Sequence, residues 1–468
     1  MVAKVTEKIK RNFLDDTLAE VIGGTDYYHI GIGHTEAWDS ADTTPDTNNS
    51  QRGERQFRQS MQSVKLVTNA SYAVPRYNWT NGTSYFAFDD NTTRLSSSRF
   101  YVLTEDNQVY ICLQSGKNAD GSVRESVTKP TGTSTNAIVT ADGYVWKYMY
   151  TIGGAQASNF LTANFLPVEY ITDSSGDVGL SGVQANQATV REAAVKGQIL
   201  GLDVVNAGSG YSGTGFSDSA VVTIVGDGTG ATAKAFVNAG VITRLELDSD
   251  ATLGRKFGQN YTQANITITG GNGSGASGRV ILSPNADSGL GANPITDFKA
   301  SSLIFNAKPT LNEPGVDLTP DWPIISADRG VAEYRQIGLI KNITNTEGAV
   351  LTADTGRVSG ILYMNTRTAG IAFKDVTSAN EQGGAAACII DDVDSNLVYF
   401  HQTEETGFAT FTSSGTLTDG NSITELYDSV QYSVDVDRYS GDIFYIENRS
   451  AVVRSANQSE DIKIVITL

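Results

Sequence analysis

The chain has three histidines, and two of them, His29 and His34, stand five residues apart in HIGIGH with Glu36 close by. Imidazole and carboxylate are metal ligands, and a shared ion needs both rings on one side of the backbone. HIGIGH reads as a strand, where residues an odd number apart face opposite ways, so the pair cannot share an ion unless the strand breaks between them. The third histidine, His401, lies far off in YFHQTEETG. Asp392, Asp394 and Asn396 match the first three ligand positions of a calcium loop, but Leu397 replaces its glycine and Thr403 its bidentate glutamate. The stretch therefore reads as an acidic turn between strands. Gly228, Gly230 and Ala233 in GDGTGATA have dinucleotide-fingerprint spacing, yet AKAFV continues as alternating strand instead of opening a helix, which leaves turn glycines. Cys112 in VYICL and Cys388 in AAACII sit in apolar runs, as buried free thiols do. There is no nucleophile elbow, and chain order alone assigns no triad. The reading is of a non-enzymatic chain without cofactor or metal.

Two further stretches concentrate chemistry. In GDIFYIENR, residues 441 to 449, strand alternation puts Glu447 and Arg449 on one face and Asp442 on the other, so Glu447 and Arg449 are expected to form a structural ion pair. In YVWKYMY, Tyr144, Trp146, Tyr148 and Tyr150 line one strand face. Such a ladder fits three uses: filling a core, anchoring a protein interface, or stacking on sugars.

The elements that must hold these residues are mostly strands. The 468 residues are 40% hydrophobic, enough for several cores, and 34 Lys and Arg against 52 Asp and Glu give a net charge of −18. That charge repels phosphate backbones and anionic membrane surfaces, so neither nucleic acid nor membrane is expected as a partner. The N-terminus has no apolar signal region, and nowhere does an apolar run approach the roughly 18 residues of a membrane span. Residues 5 to 21 predict an amphipathic helix with Ile9, Phe13 and Val21 on its face, and a second helix is expected from Arg52 to Leu66 around Phe57, Met61 and Val64. RFYVLTEDNQVYICL predicts a hairpin around Glu105, Asp106 and Asn107, and IKIVITL closes the chain with one apolar face. The fold class is mainly β with some α, an α+β protein of antiparallel β-sandwich domains.

From 185 to 284 glycine rises, and DGTGATAKAFV (227 to 237) recurs weakly as NGSGASGRVIL (272 to 282), each after TIVG or TITG. NAGSGYSG precedes the first copy and GRKFGQNYT the second. The organisation expected is 1–175, an inserted glycine-rich β-repeat module at 185–284, and 295–468. As a surface insertion, the module should be removable to leave a soluble dimer.

Seven stretches in order carry a resemblance: IGIGHTEAW (30 to 38), VPRYNW (74 to 79), VYICL (109 to 113), DGYVWKYMY (142 to 150), FLPVEY (165 to 170), EYRQIGLI (333 to 340) and GDIFYIENR running on to the terminus. Together they resemble the tail baseplate wedge protein of T-even-type contractile-tailed phages, the dimeric wedge subunit, and its longer cyanophage relatives. The likeness covers roughly 1 to 172 and 325 to 468 and omits the glycine-rich middle. Where the family has Ser-Glu-Pro-Trp, this chain has Thr35, Glu36, Ala37 and Trp38, which loses a turn proline. The resemblance implies a non-catalytic homodimer that contacts other baseplate wedge proteins, is assembled in the host cytoplasm and ends in the virion tail. It makes Trp38, Arg76, Trp79, Tyr144, Trp146, Tyr148, Tyr445, Glu447 and Arg449 the structural or interface candidates. A carbohydrate-binding or depolymerising tail protein is the alternative, resting on the aromatic ladder and the many acids.

Overall fold

A computed structural model describes residues 7–91, 99–180, 182–284, 288–310, 321–322, 333–364, 372–374, 377–394, 396–431, 435–454, 458 and 460–468. The chain is mainly β, 43% strand and 12% helix, and the ladders between its described strands are antiparallel. It divides into two compact units. Unit 1 is Met1–Leu14, Ser71–Ile304 and Val465–Leu468; unit 2 is Asp15–Ala70 and Phe305–Ile464. This partition follows contact, not chain order, and so runs differently from the three consecutive regions that composition suggests.

Unit 2 shows why. The early strands Tyr28–Gly33 and Met61–Leu66 join late ones in a five-stranded sheet, ordered Thr355–Arg357, Met61–Leu66, Tyr28–Gly33, Glu333–Lys341, Asp442–Val453. The helix Gln51–Ser60 is capped by Ser50, whose hydroxyl accepts from the Gly53 amide at 3.3 Å. Its Phe57 lies over Gly31 and Gly338, which face each other across neighbouring strands. A Cβ at Gly338 has no room beside that ring, so the glycines of IGIGH and QIGLI let a helix lie close on the sheet.

The expected helix from Arg52 to Leu66 is therefore half right. It stops at Ser60, because Met61, Ser63, Val64 and Lys65 pair with Tyr28–Gly33, and Phe57, Met61 and Val64 meet in one core all the same. A second sheet of seven strands carries Ala387–Asp394 beside Leu397–His401, so Asp392 and Asp394 lie within a strand and not in a turn. Its core gathers Leu362, Phe373, Cys388, Ile390, Phe400 and Leu417.

The N-terminal helix forms over Glu7–Gly23, with Val5 and Thr6 outside the described residues. Its buried positions are Leu14, Thr17 and Val21; of the expected face Val21 is buried as expected, whereas Ile9 is 61% and Phe13 50% exposed. Spacing identified the helix; the burial of Leu14 chose the face.

In unit 1 the predicted hairpin is present as Tyr101–Leu103 and Gln108–Gln114, turning through Asn107 at φ +57°. Gln108–Gln114 pairs in turn with Val145–Thr151. The glycine-rich stretch builds a four-stranded sheet, ordered Val241–Leu247, Ala233–Asn238, Gly215–Gly226, Ala264–Gly270, and a pair, Ile199–Ser209 with Ser274–Leu282. The weak repeat is real in space. Tyr211, which precedes the first glycine loop, packs on Gly273 of the second, and Tyr261, which precedes the second, packs on Gly228 of the first. Both tyrosines are 4% exposed, and each glycine lies so close to its ring that a Cβ would collide.

This stretch belongs to the same unit as the hairpin sheet. Arg279 binds Asp89 at 3.0 Å and Asp90 at 2.8 Å, Arg244 Nη1 donates to the Lys117 carbonyl at 3.0 Å, and Val190 enters the aromatic core. That packing reverses the expectation for its removal. Deleting 185–284 takes out Val190 and uncovers Leu113 and Val145, so the truncated chain should aggregate or melt without a cooperative transition. Soluble yield and a calorimetric melt against the full chain check it.

Candidate functional site

The most elaborate polar arrangement lies in unit 2, on the turn after Tyr28–Gly33. His34 takes a left-handed φ of +60°, which breaks the strand and swings the following residues inward. His29 stays behind in the strand, fully buried, its Nε2 3.3 Å from the Ala353 carbonyl oxygen. Burial pushes its pKa down to about 4, so it is neutral at pH 7. The two histidines of HIGIGH thus do not meet.

What His34 meets instead is Glu36 and Trp38. The His34 and Trp38 rings lie against each other, tilted by 38° at 3.8 Å between centroids, and Glu36 Oε2 stands 3.7 Å from His34 Nδ1 and 3.3 Å from His401 Nε2. On its other side His401 Nδ1 lies 2.7 Å from Asp391 Oδ1. A fully buried imidazole is therefore held between two carboxylates. Asp391 also accepts from Ser359 Oγ at 2.6 Å and more distantly from Gln62 Nε2 at 3.4 Å.

Burial alone would lower the His401 pKa. The neighbouring charges of Asp391 and Glu36 outweigh it and hold the pKa up at about 10, so His401 is an imidazolium at pH 7. For Glu36, burial works to raise the pKa, and the His401 charge overrides it, to about 2. His34 goes the other way: burial lowers its pKa despite Glu36.

Arg335 fixes the turn from below. Its guanidinium grips Asp42 with Nε to Oδ1 at 2.7 Å and Nη2 to Oδ2 at 2.9 Å, reaches Glu333 at 3.1 Å, and donates to the Thr35 carbonyl. Such a two-point grip on a carboxylate holds orientation as well as charge. Trp38 adds an Nε1 bond to the Arg449 carbonyl at 3.1 Å.

Chemically this is an ion-pair cluster, not a hydrolytic triad. The Ser359 hydroxyl bonds Asp391 rather than His401, so that hydroxyl is not lined up on the imidazole. Among the described residues no group of three or more His, Cys, Asp and Glu side chains has metal-site geometry. No described helix is long and apolar enough to cross a membrane.

The candidates named from sequence fall in several places. Glu447 and Arg449 form no ion pair; Glu447 instead accepts from the Tyr445 hydroxyl at 2.6 Å, two residues back on the same strand face. Arg449 contributes its carbonyl to Trp38. Arg76 ties a turn, donating to the Thr162 carbonyl and to Asn78 Oδ1, both at 2.8 Å.

Tyr144, Trp146 and Tyr148 are fully buried in one core with Tyr85, Tyr110 and Cys112, and Trp79 packs against it while donating to Ser126 Oγ at 3.1 Å. Tyr150 leaves that ladder. The register shifts between Tyr148 and Tyr150, and Tyr150 packs on Phe298 and donates to the Pro167 carbonyl at 2.9 Å. Of the three uses open to the ladder, the core is the one its burial fits.

Sequence reasoning missed the cluster because His401 and Asp391 stand more than 350 residues from Glu36. The one local signal was Glu36 beside His34. Set against protein-family models and curated proteins, the chain matches none.

Proposed function

We propose that this protein is a structural subunit of a contractile phage tail baseplate wedge, joining neighbouring baseplate proteins through protein interfaces and taking part in the rearrangement on host attachment. The observation that carries the reading is where the seven resembling stretches fall. IGIGHTEAW pairs with EYRQIGLI, which pairs with GDIFYIENR (Ile32 with Ile337, Leu339 with Tyr445). VPRYNW pairs with FLPVEY (Val74 with Leu166), and VYICL with DGYVWKYMY (Cys112 with Trp146). Stretches as far apart as Ile30 and Leu339 thus become strand-paired neighbours, and the seven fall into three groups. A chance likeness has no reason to respect strand pairing, whereas a shared framework does.

The function is mechanical on this reading. Rigid sheets present surfaces, and interfaces with two alternative packings do the switching. Unit 2 exposes large apolar side chains of the kind such interfaces use: Tyr439 is 63%, Leu426 59% and Phe444 42% exposed. The chain is a homodimer in this proposal, built in the host cytoplasm and carried into the virion tail. A carbohydrate-binding role keeps little support, since the Tyr144, Trp146 and Tyr148 rings are buried. Light scattering on the purified chain is the first test. A mass of twice 49.8 kDa that persists on dilution supports the proposal, and a trimer turns attention to an adhesin. A monomer that also fails to co-assemble with wedge partners counts against it.

A further inference from the structure

We infer that the outward face of the helix Glu7–Gly23 is the centre of a contact between two copies of this chain, each helix packing antiparallel on the other. The inference rests on the homodimer proposed above and assigns it an interface.

The helix is laid down with its polarity partly inverted. Two of its cations turn toward the body of unit 1, Lys10 Nζ to the Leu468 backbone oxygen and Arg11 Nη1 to Thr296 Oγ1, both at 3.2 Å. Ile9 and Phe13, one turn apart, point the other way and are 61% and 50% exposed. A surface helix normally turns its apolar residues to the core and its charges to water. Two neighbouring apolar side chains held in water form a patch, unlike apolar residues scattered singly.

The polar neighbours of the patch indicate what covers it. Lys8, Asn12 and Asp16 are exposed on the same face, and neither Lys8 nor Asp16 enters an ion pair among the described residues. Lys8 and Asp16 lie four residues to either side of Asn12, about 6 Å along the axis each way. A two-fold axis at the level of Asn12 therefore brings each Lys8 beside the partner's Asp16, twice over. The same axis sets the two Phe13 rings side by side, with Ile9 flanking them. The result is an apolar centre with a charged rim, the anatomy of a protein interface. A parallel arrangement would set Lys8 beside Lys8 and Asp16 beside Asp16, so charge selects the antiparallel one.

The test is sedimentation equilibrium of the full chain and its variants. Phe13→Glu and Ile9→Glu should each raise the dimer dissociation constant by at least about thirtyfold, the loss expected at the centre of an interface. Asp16→Lys should weaken the dimer by about fivefold, and Lys8→Glu in the same chain should restore it, because the swap exchanges both members of each pair. Asn12→Cys, at the axis, should close a disulfide between two copies on oxidation, since both native cysteines are buried. Circular dichroism checks that the variants keep the fold. A native dimer left intact by Phe13→Glu and Ile9→Glu, or a charge swap that fails to restore it, overturns the inference and leaves the homodimer standing. A native chain that is monomeric at every concentration overturns both.

Discussion

Replacing His401 by alanine should destabilise unit 2 by about 3–5 kcal/mol, because it leaves Asp391 buried without its cationic partner. The effect should depend on pH in a definite direction. The His401 pKa is raised from 6.5 to about 10, so its contribution is complete below pH 6.5 and lost as pH rises through 10. The Glu36 pKa is depressed from 4.5 to about 2, so its contribution is complete above pH 4.5 and lost as pH falls through 2. The cluster is therefore at full strength between pH 4.5 and 6.5. Urea denaturation of the native chain should show stability falling between pH 6.5 and 10, with the extra slope absent from His401→Gln. Equal slopes in the two proteins would mean that His401 is not charged in the folded state.

Trp146→Ala should cost a similar amount, about 3–5 kcal/mol, through the cavity it opens. Trp146 is fully buried, stacked on Tyr144 at 5.5 Å between centroids and edge-on to Tyr85 at 5.7 Å. Trp146→Phe should cost much less, since it keeps an aromatic ring and removes an indole N–H that has no hydrogen-bond partner among the described residues. The thermal melts of the two variants check this ordering. If Trp146→Ala melted like the native chain while sugar binding disappeared, the ladder would be a ligand platform and not a core.

Most of the strands were legible because alternation is a local property. VYICL and YVWKYMY show it within single stretches, and the turn at Asn107 is announced by TEDNQ. Local pattern failed where distant pairing decided. Residues 61 to 66 satisfy a helical period, but the open edge of Tyr28–Gly33 claimed them as a strand. The Tyr150 ring was misplaced by one extra residue in the register, which no periodicity reveals. The acid–imidazole cluster was the least legible feature. Its parts come from a turn, a strand and a strand end, at Glu36, Asp391 and His401, and only the tertiary fold makes them neighbours. For the same reason Glu447 was given the wrong partner: the face was right, but Tyr445 reached it and Arg449 did not.

The crossed tyrosines of the glycine-rich stretch bear on its origin. Since Tyr211 plugs the second loop and Tyr261 the first, a single ancestral copy would have carried one ring without a socket and one socket without a ring. Such a peptide satisfies itself only by meeting another like it. Duplication within one gene would then have turned a partnership between two molecules into an intramolecular one, held at high effective concentration by the linking residues. The two halves would afterwards have been free to diverge in sequence, GSGY in one and GQNY in the other, so long as each still seated the other's ring.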